Sequence, residues 1–236
     1  FKQINDRPLI PNINLYKSDR PLPSSQISIR ETNMADSDFT LAKVREAFDL
    51  IIEEDRDLFA EVPKAQPSEL LSMILKEYLN LAIAINSEKS RSEFIIAPIL
   101  GEIRRLSGYQ VSLFSGKEFN VDSSKGLVGY CDFILSYSKE QLYISAPVTT
   151  IVEAKNENII GGIGQCIAEM VAAQIFNQQS GNNIERVYGV VTSGTNWRFL
   201  TLCDRTVYID TVEYYIKEID KILGILLQFI SPINRH

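Results

Sequence analysis

Histidine is almost missing from this chain. The one histidine is His236, at the far end. That removes the base of Ser-His-Asp and Cys-His nucleophilic chemistry, and the imidazole ligands on which many zinc sites depend. Cysteine is sparse as well. Cys131, Cys166 and Cys203 are widely spaced with no C-x-x-C pair, so they form no zinc knuckle, and an odd number argues against a disulfide framework. Set in apolar segments, they read as small buried hydrophobes of a reducing cytoplasm. No apolar run reaches membrane-spanning length and no secretory signal is visible, so the expected location is the cytoplasm. A phosphate loop of the form G-x-x-x-x-G-K-[ST] is absent, since Gly116-Lys117 is followed by Glu118 and lacks the upstream glycine; ATP hydrolysis is not expected. The Gly161-Gly162-x-Gly164 run lacks the third glycine of a dinucleotide fingerprint and reads as a tightly turning loop. Basic charge is in deficit, 24 Lys and Arg against 30 Asp and Glu for a formal net charge of −6. That argues against broad attraction to nucleic acid but permits a local basic rim.

What the chain does contain is enough apolar material for a substantial core: 236 residues, 45% hydrophobic and 23% charged, the balance of a soluble domain. Residues 1–36 carry Pro8, Pro11, Pro21 and Pro23 among Asn, Ser and Asp, and read as an extended arm with one strand near Ile27–Ile29. An apolar stripe predicts a helix over Leu41–Phe59, broken by Pro63 and Pro67, and Ser68 caps a second helix reaching Ile85. The order continues with a helix over Ser90–Leu106 and strands over Val111–Phe114, Val128–Tyr137 and Val148–Lys155. A helix over Gly162–Asn177 follows, then strands over Arg186–Thr192, Trp197–Leu202 and Thr206–Ile209, and a closing helix over Val212–Phe229. The expected division is residues 1–86 as an N-terminal arm and helical extension packed on the core, and 87–236 as the core with its C-terminal helix.

The run Val148-Thr-Thr-Ile-Val-Glu-Ala-Lys-Asn156 is β-branched and apolar, yet ends in two charges. Residues i and i+2 share one face of a strand, so Glu153 and Lys155 project together. Tyr130-Cys-Asp132-Phe-Ile-Leu135 places another carboxylate in a second apolar strand, twenty-one residues before Glu153, a spacing that suits a hairpin. Buried charge without a partner or a metal is costly. Adjacent strands offering Asp, Glu and Lys make a divalent-cation site with an ammonium beside it.

This constellation resembles the PD-(D/E)XK nuclease superfamily, with Asp132 at the lone acidic position and Glu153-Ala-Lys155 as the E-x-K. Ser92-Glu93-Phe-Ile-Ile-Ala-Pro98-Ile-Leu100 is similar to the opening helix of restriction-subunit nuclease domains. Gly162-Ile-Gly-Gln165 resembles the start of the helix that follows E-x-K, and Val187-Tyr-Gly-Val-Val-Thr-Ser-Gly194-Thr-Asn-Trp197-Arg-Phe-Leu200 the strand-turn-strand beyond it. The likeness covers roughly residues 90–202 and departs from the pattern at Cys131, where the nominal residue is proline.

The resemblance implies an α/β, restriction-endonuclease-like αβββαβ core with a mixed central sheet flanked by helices, and Mg²⁺- or Mn²⁺-dependent hydrolysis of DNA phosphodiesters, with RNA left open. Asp132, Glu153 and Glu93 would hold the metal. Lys155 would orient or activate water, or stabilise charge on the phosphate. Gln165 would hydrogen-bond the phosphate, a base edge or the water. Lys117, Lys125 and Arg198 would contact substrate, with Arg186 a further basic candidate. Glu102 competes with Glu93 as the helical acid; nine residues at about 100° each put the two on opposite helix faces, so only one can serve. Glu157 reads as a solvated loop residue, and Trp197 and Phe199 as core rather than a base-stacking platform. The partner arrangements left open are a homodimer or a separate motor or specificity subunit. The competing reading is a non-catalytic module that keeps the fold, uses its acids structurally and binds protein or nucleic acid; the negative charge favours it.

Overall fold

The β-branched runs assemble into a single sheet. The structure, a computed structural model, describes residues 35–182 and 184–230; the strand expected near Ile27–Ile29 lies outside them. The elements are α1 (Leu41–Ala47), β1 (Ile51–Glu53), α2 (Glu69–Ile85), α3 (Glu88–Arg91), a π turn over Ser92–Ile96, α4 (Ala97–Leu106), β2 (Ser112–Glu118), β3 (Tyr130–Ser136), β4 (Val148–Ala154), α5 (Ile163–Gln179), β5 (Arg186–Thr192), β6 (Asn196–Cys203), β7 (Thr206–Ile209), β8 (Tyr214–Tyr215) and α6 (Ile219–Phe229). The eight-stranded sheet runs β1-β7-β6-β5-β4-β3-β2, with β8 paired to β6. It is mixed: β2-β3-β4 and β5-β6-β7 are antiparallel, whereas β4–β5 and β1–β7 are parallel. Parallel neighbours need a crossover, and α5 supplies the one between β4 and β5.

Helices cover both faces, which is why every residue of β4 is buried. On one face Cys166, Ile167 and Met170 of α5 pack on Val148, Ile151, Val187 and Val191. On the other, Ile99 and Ile103 of α4 and Ile222, Leu223 and Leu226 of α6 pack on Val152, Val190, Trp197 and Phe199. Trp197 and Phe199 are therefore core, and no base-stacking surface is made from them. Gly189 of β5 is needed for the first of these contacts, because a Cβ there would stand 2.4 Å from Met170 Sδ. Among the described residues no helix is long and apolar enough to cross a membrane.

Two expected helices are shorter than the sequence suggests. The helix read over Leu41–Phe59 stops at Ala47; Asp49 takes a left-handed conformation with φ 49°, and Ile51–Glu53 pairs with β7. The segment read as a helical extension thus contributes an edge strand to the sheet. The closing helix starts at Ile219 rather than Val212, because Tyr214–Tyr215 pairs with Asn196 and Trp197. The helix read from Ser90 starts earlier. Asn86 ends α2 in the left-handed conformation, and Ser87 Oγ accepts from Ser90 N at 3.1 Å to start α3. Pro98, just inside α4, has no N–H to donate; the wide π turn before it accommodates that loss without ending the helix.

Candidate functional site

The ladder between β3 and β4 stops at Phe133↔Val152, one step short of Asp132 and Glu153. There a side chain takes over: Asp132 Oδ2 accepts from Ala154 N at 2.8 Å. On the other side of β4, Lys155 N donates to Thr192 O at 2.8 Å. The end of β4 is held from both sides while its last charged side chains stay clear of the ladder.

Glu153 is buried and ion-paired to Lys155 through Oε1; among the described residues its Oε2 has no hydrogen-bond partner. Lys155 Nζ also donates to Gln165 Oε1 at 3.3 Å, and Gln165 Nε2 donates to Glu169 Oε1 at 3.1 Å. Asp132, Glu153, Lys155 and Gln165 thus lie together at the end of β4.

The electrostatics follow from burial. Burial raises the Glu153 carboxyl, and the charge of Asp132 adds to that, against the pull of Lys155. Asp132 is also raised by burial, opposed by the Ala154 N–H and Lys155. Burial works against the Lys155 ammonium, but Glu153, Glu88 and Asp132 outweigh it and hold the amine protonated above its ordinary range. An amine held in this way suits charge stabilisation rather than proton abstraction.

Glu93 does not join this group. It is half-exposed and paired with Lys89 at 3.0 Å. Glu102 is buried elsewhere, receiving Arg105 through both oxygens at 2.8 and 2.9 Å and Ser68 N at 3.0 Å; its carboxyl is lowered first by the Arg105 hydrogen bonds. It ties the start of α2 to α4. The helical acid that senses the site is Glu88, in the first turn of α3: burial raises it, Lys155 lowers it and Asp132 raises it again. The sequence signal for Glu88 was the cap Ser87 immediately before it.

Two further buried acids border the group. Glu169 is fully buried on α5 and its Oε2 has no partner among the described residues. Burial pushes it well above the ordinary range, and the charge of Glu153 adds to this. Asp36 is buried where residues 36–38 pack on α5, and burial pushes it up to about 7. The thiols of Cys131 and Cys166 are buried and held protonated by that burial, so neither is a nucleophile.

Arg91 was not singled out by its sequence. It is 7% exposed, and Nε donates to Asn156 Oδ1 at 3.1 Å, Nη1 to Ser193 O at 3.0 Å and Thr195 Oγ1 at 3.3 Å, and Nη2 to Asn86 Oδ1 at 3.3 Å. One guanidinium thereby joins the α2–α3 corner, the residue after Lys155 and the β5–β6 turn. Glu157 is an exposed loop residue accepting from Asn86 Nδ2 at 3.3 Å.

The basic candidates are less concentrated than expected. Lys117 is exposed on edge strand β2, paired with Cys131 beside Asp132. Lys125 is neutralised by Asp122 at 3.2 Å, Arg198 by Glu213 at 3.3 Å and Arg186 by Glu185 at 2.9 Å. Arg198 shares a cross-strand row with Val191 and Glu153.

The glycines around the start of α5 have a different purpose from a tight turn. Gly162 has an ordinary φ of −86°, and a Cβ there would lie 2.9 Å from Lys155 Cε and from Val191 Cγ1. A Cβ on Gly164 would stand 2.4 Å from the backbone of Thr40. Both allow close approach, the first against the site lysine itself.

Among the described residues, no group of three or more His, Cys, Asp or Glu side chains stands in ligating geometry. The acids nevertheless suit a hard cation: they offer carboxylate oxygens, and one buried oxygen on Glu153 has no other partner. No protein-family model matches the chain, and no curated protein matches it.

Proposed function

We propose that the chain is a metal-dependent nuclease that hydrolyses DNA phosphodiester bonds on a restriction-endonuclease-like core. The observation that carries this reading is the meeting of Asp132, Glu153, Lys155 and Gln165 at one end of β4, with Glu153 Oε2 buried and unpartnered. The element order α4-β2-β3-β4-α5-β5 agrees with the αβββαβ pattern. Asp132 and Glu153 would hold Mg²⁺ or Mn²⁺, which when bound polarises the phosphate and acidifies water. Lys155, held protonated, would turn from Glu153 towards the phosphate and stabilise its developing charge. Gln165, neutral, would position water or a phosphate oxygen without repelling the substrate. Lys117, exposed on edge strand β2 and paired with Cys131, would meet the backbone of the strand.

The alternative, a binding module with structural acids, is favoured by one observation: in this structure Lys155 already satisfies one oxygen of Glu153, and Asp122 and Glu213 already neutralise Lys125 and Arg198. The test is incubation of the purified chain with plasmid and single-stranded DNA, with Mg²⁺ or Mn²⁺ and with EDTA. The nuclease reading expects cutting that EDTA silences and that Glu153→Gln and Lys155→Ala each abolish. Equal behaviour of wild type and Glu153→Gln on every DNA tried would favour the module.

A further inference from the structure

Gln165 and Glu169 are one helical turn apart on α5 and so occupy the same face. That face meets β4, and the polar contacts between them form a chain: Glu153 to Lys155, Lys155 to Gln165, Gln165 to Glu169. The amide at its centre is oriented by its neighbours, because it accepts from an ammonium and donates to a carboxylate. At the two ends stand Glu153 and Glu169, at 1% and 0% exposure, each with Oε1 engaged and Oε2 without a partner among the described residues.

Such an arrangement is expensive unless something else completes it. A buried carboxylate oxygen without a donor forfeits its hydration, and here the one ammonium in the chain of contacts serves Glu153 and Gln165 and does not reach Glu169. Residues Gly162 and Gly189 let α5 lie close to β4 and β5, which brings the second carboxylate into the field of the first.

We infer that Glu169 is a further carboxylate of the cation site, anchored to Gln165 by one oxygen and turning the other, directly or through one water, to the same divalent ion as Glu153. This rests on the metal-dependent reading above and deepens it: the acid that completes the site comes from α5, whereas Glu93 faces solvent. Gln165 is then a positioning residue for Glu169 as well as a neighbour of Lys155.

The experiment is calorimetric titration of Mn²⁺ alone into the full chain, with anomalous scattering from Mn²⁺-soaked wild-type crystals as a measurement independent of any variant's folding. Wild type is expected to bind, Glu169→Gln to bind at least about tenfold more weakly, and Glu93→Gln to match wild type within about twofold. In crystals the Mn²⁺ peak should lie roughly 2.0–2.6 Å from a Glu169 oxygen, or one water further away. Unchanged Mn²⁺ affinity in Glu169→Gln, or a peak at Asp132 and Glu153 with Glu169 remote from it, would overturn the inference and leave the nuclease reading standing. Absence of any Mn²⁺ binding by wild type would remove both.

Discussion

Replacing Arg91 by methionine tests whether the α2–α3 corner is fastened to the site from within. The guanidinium is buried and makes four hydrogen bonds, all to neutral oxygens of Asn156, Ser193, Thr195 and Asn86. Hydrogen bonds to a charged group contribute about 1.5–3 kcal/mol each. Four of them exceed what a domain can lose, but removing the arginine also removes a buried charge whose desolvation opposes folding by several kcal/mol. The balance is a loss of about 3–5 kcal/mol, most of it the cost of oxygens left without donors. Methionine preserves the packing volume of the stem, so the loss reports on the polar head. In urea unfolding, with a slope near 2–3 kcal/mol/M, the midpoint should fall by about 1–2 M. Arg91→Lys keeps the charge but cannot reach three separate groups with one ammonium, and should recover less than half of the loss. A loss below about 1 kcal/mol for Arg91→Met, or full recovery by lysine, would refute the argument that this side chain holds the corner carrying Glu88.

Two further outcomes follow from burial and close contact. Asp36, pushed up to about 7 from 3.8, keeps in the native state a proton that the unfolded chain has released between those values; the native state then binds more protons, so metal-free stability should fall as pH rises from 5 to 8, by at most about 4 kcal/mol from this group. Of that full span between 3.8 and 7, about 3 kcal/mol falls above pH 5; melting curves from pH 5 to 8 should show that decline and a shallower one in Asp36→Asn, and a flat or rising wild-type profile would contradict it. Gly162→Ala places a methyl group 2.9 Å from Lys155 Cε and Val191 Cγ1; unfolding experiments should show a loss of about 1–3 kcal/mol, and a neutral result would mean that the loop before α5 yields instead.

The strands of the core were legible because burial on both faces selects β-branched runs, and β4 is such a run. Glu153 and Lys155 followed from strand parity, and Asp132 from the length of one hairpin. Sequence reasoning failed where partners are distant or where a single backbone angle decides. The three residues of β1 carry no local strand signal; their partner β7 lies about 150 residues further on. Glu88 was missed because the helix was started two residues late, at Ser90, and the left-handed Asn86 that allows α2 and α3 to meet so tightly has no apolar periodicity to announce it. The i, i+4 relation of Gln165 to Glu169 was readable, but a glutamate on a helix is ordinarily solvated. Its burial depends on how closely α5 lies on the sheet, which Gly189 and Gly162 decide from other elements. The neutralisation of Lys125 by Asp122 is a local i, i+3 matter, whereas that of Arg198 by Glu213 requires the chain to return along β8.

The two functional readings differ in what balances the buried negative charge. Asp132, Glu153 and Glu169 are half-buried or buried around one lysine, with Asp36 close by and Glu88 at the rim. A purely structural cluster would have to be neutralised by protons, and a protonated carboxyl still needs an acceptor for its O–H. Among the described residues Glu153 Oε2 and Glu169 Oε2 have no hydrogen-bond partner, so protonation would leave part of their desolvation uncompensated. Glu153 and Glu169 are the residues that would hold a divalent cation, whose charge would offset the repulsion that raises their proton affinity. Lys155, now paired with Glu153, would then be available to an anion entering the site. The same carboxylates that are costly as structure would be inexpensive as ligands, and that asymmetry is the physical argument for the proposed metal-dependent reading over the module.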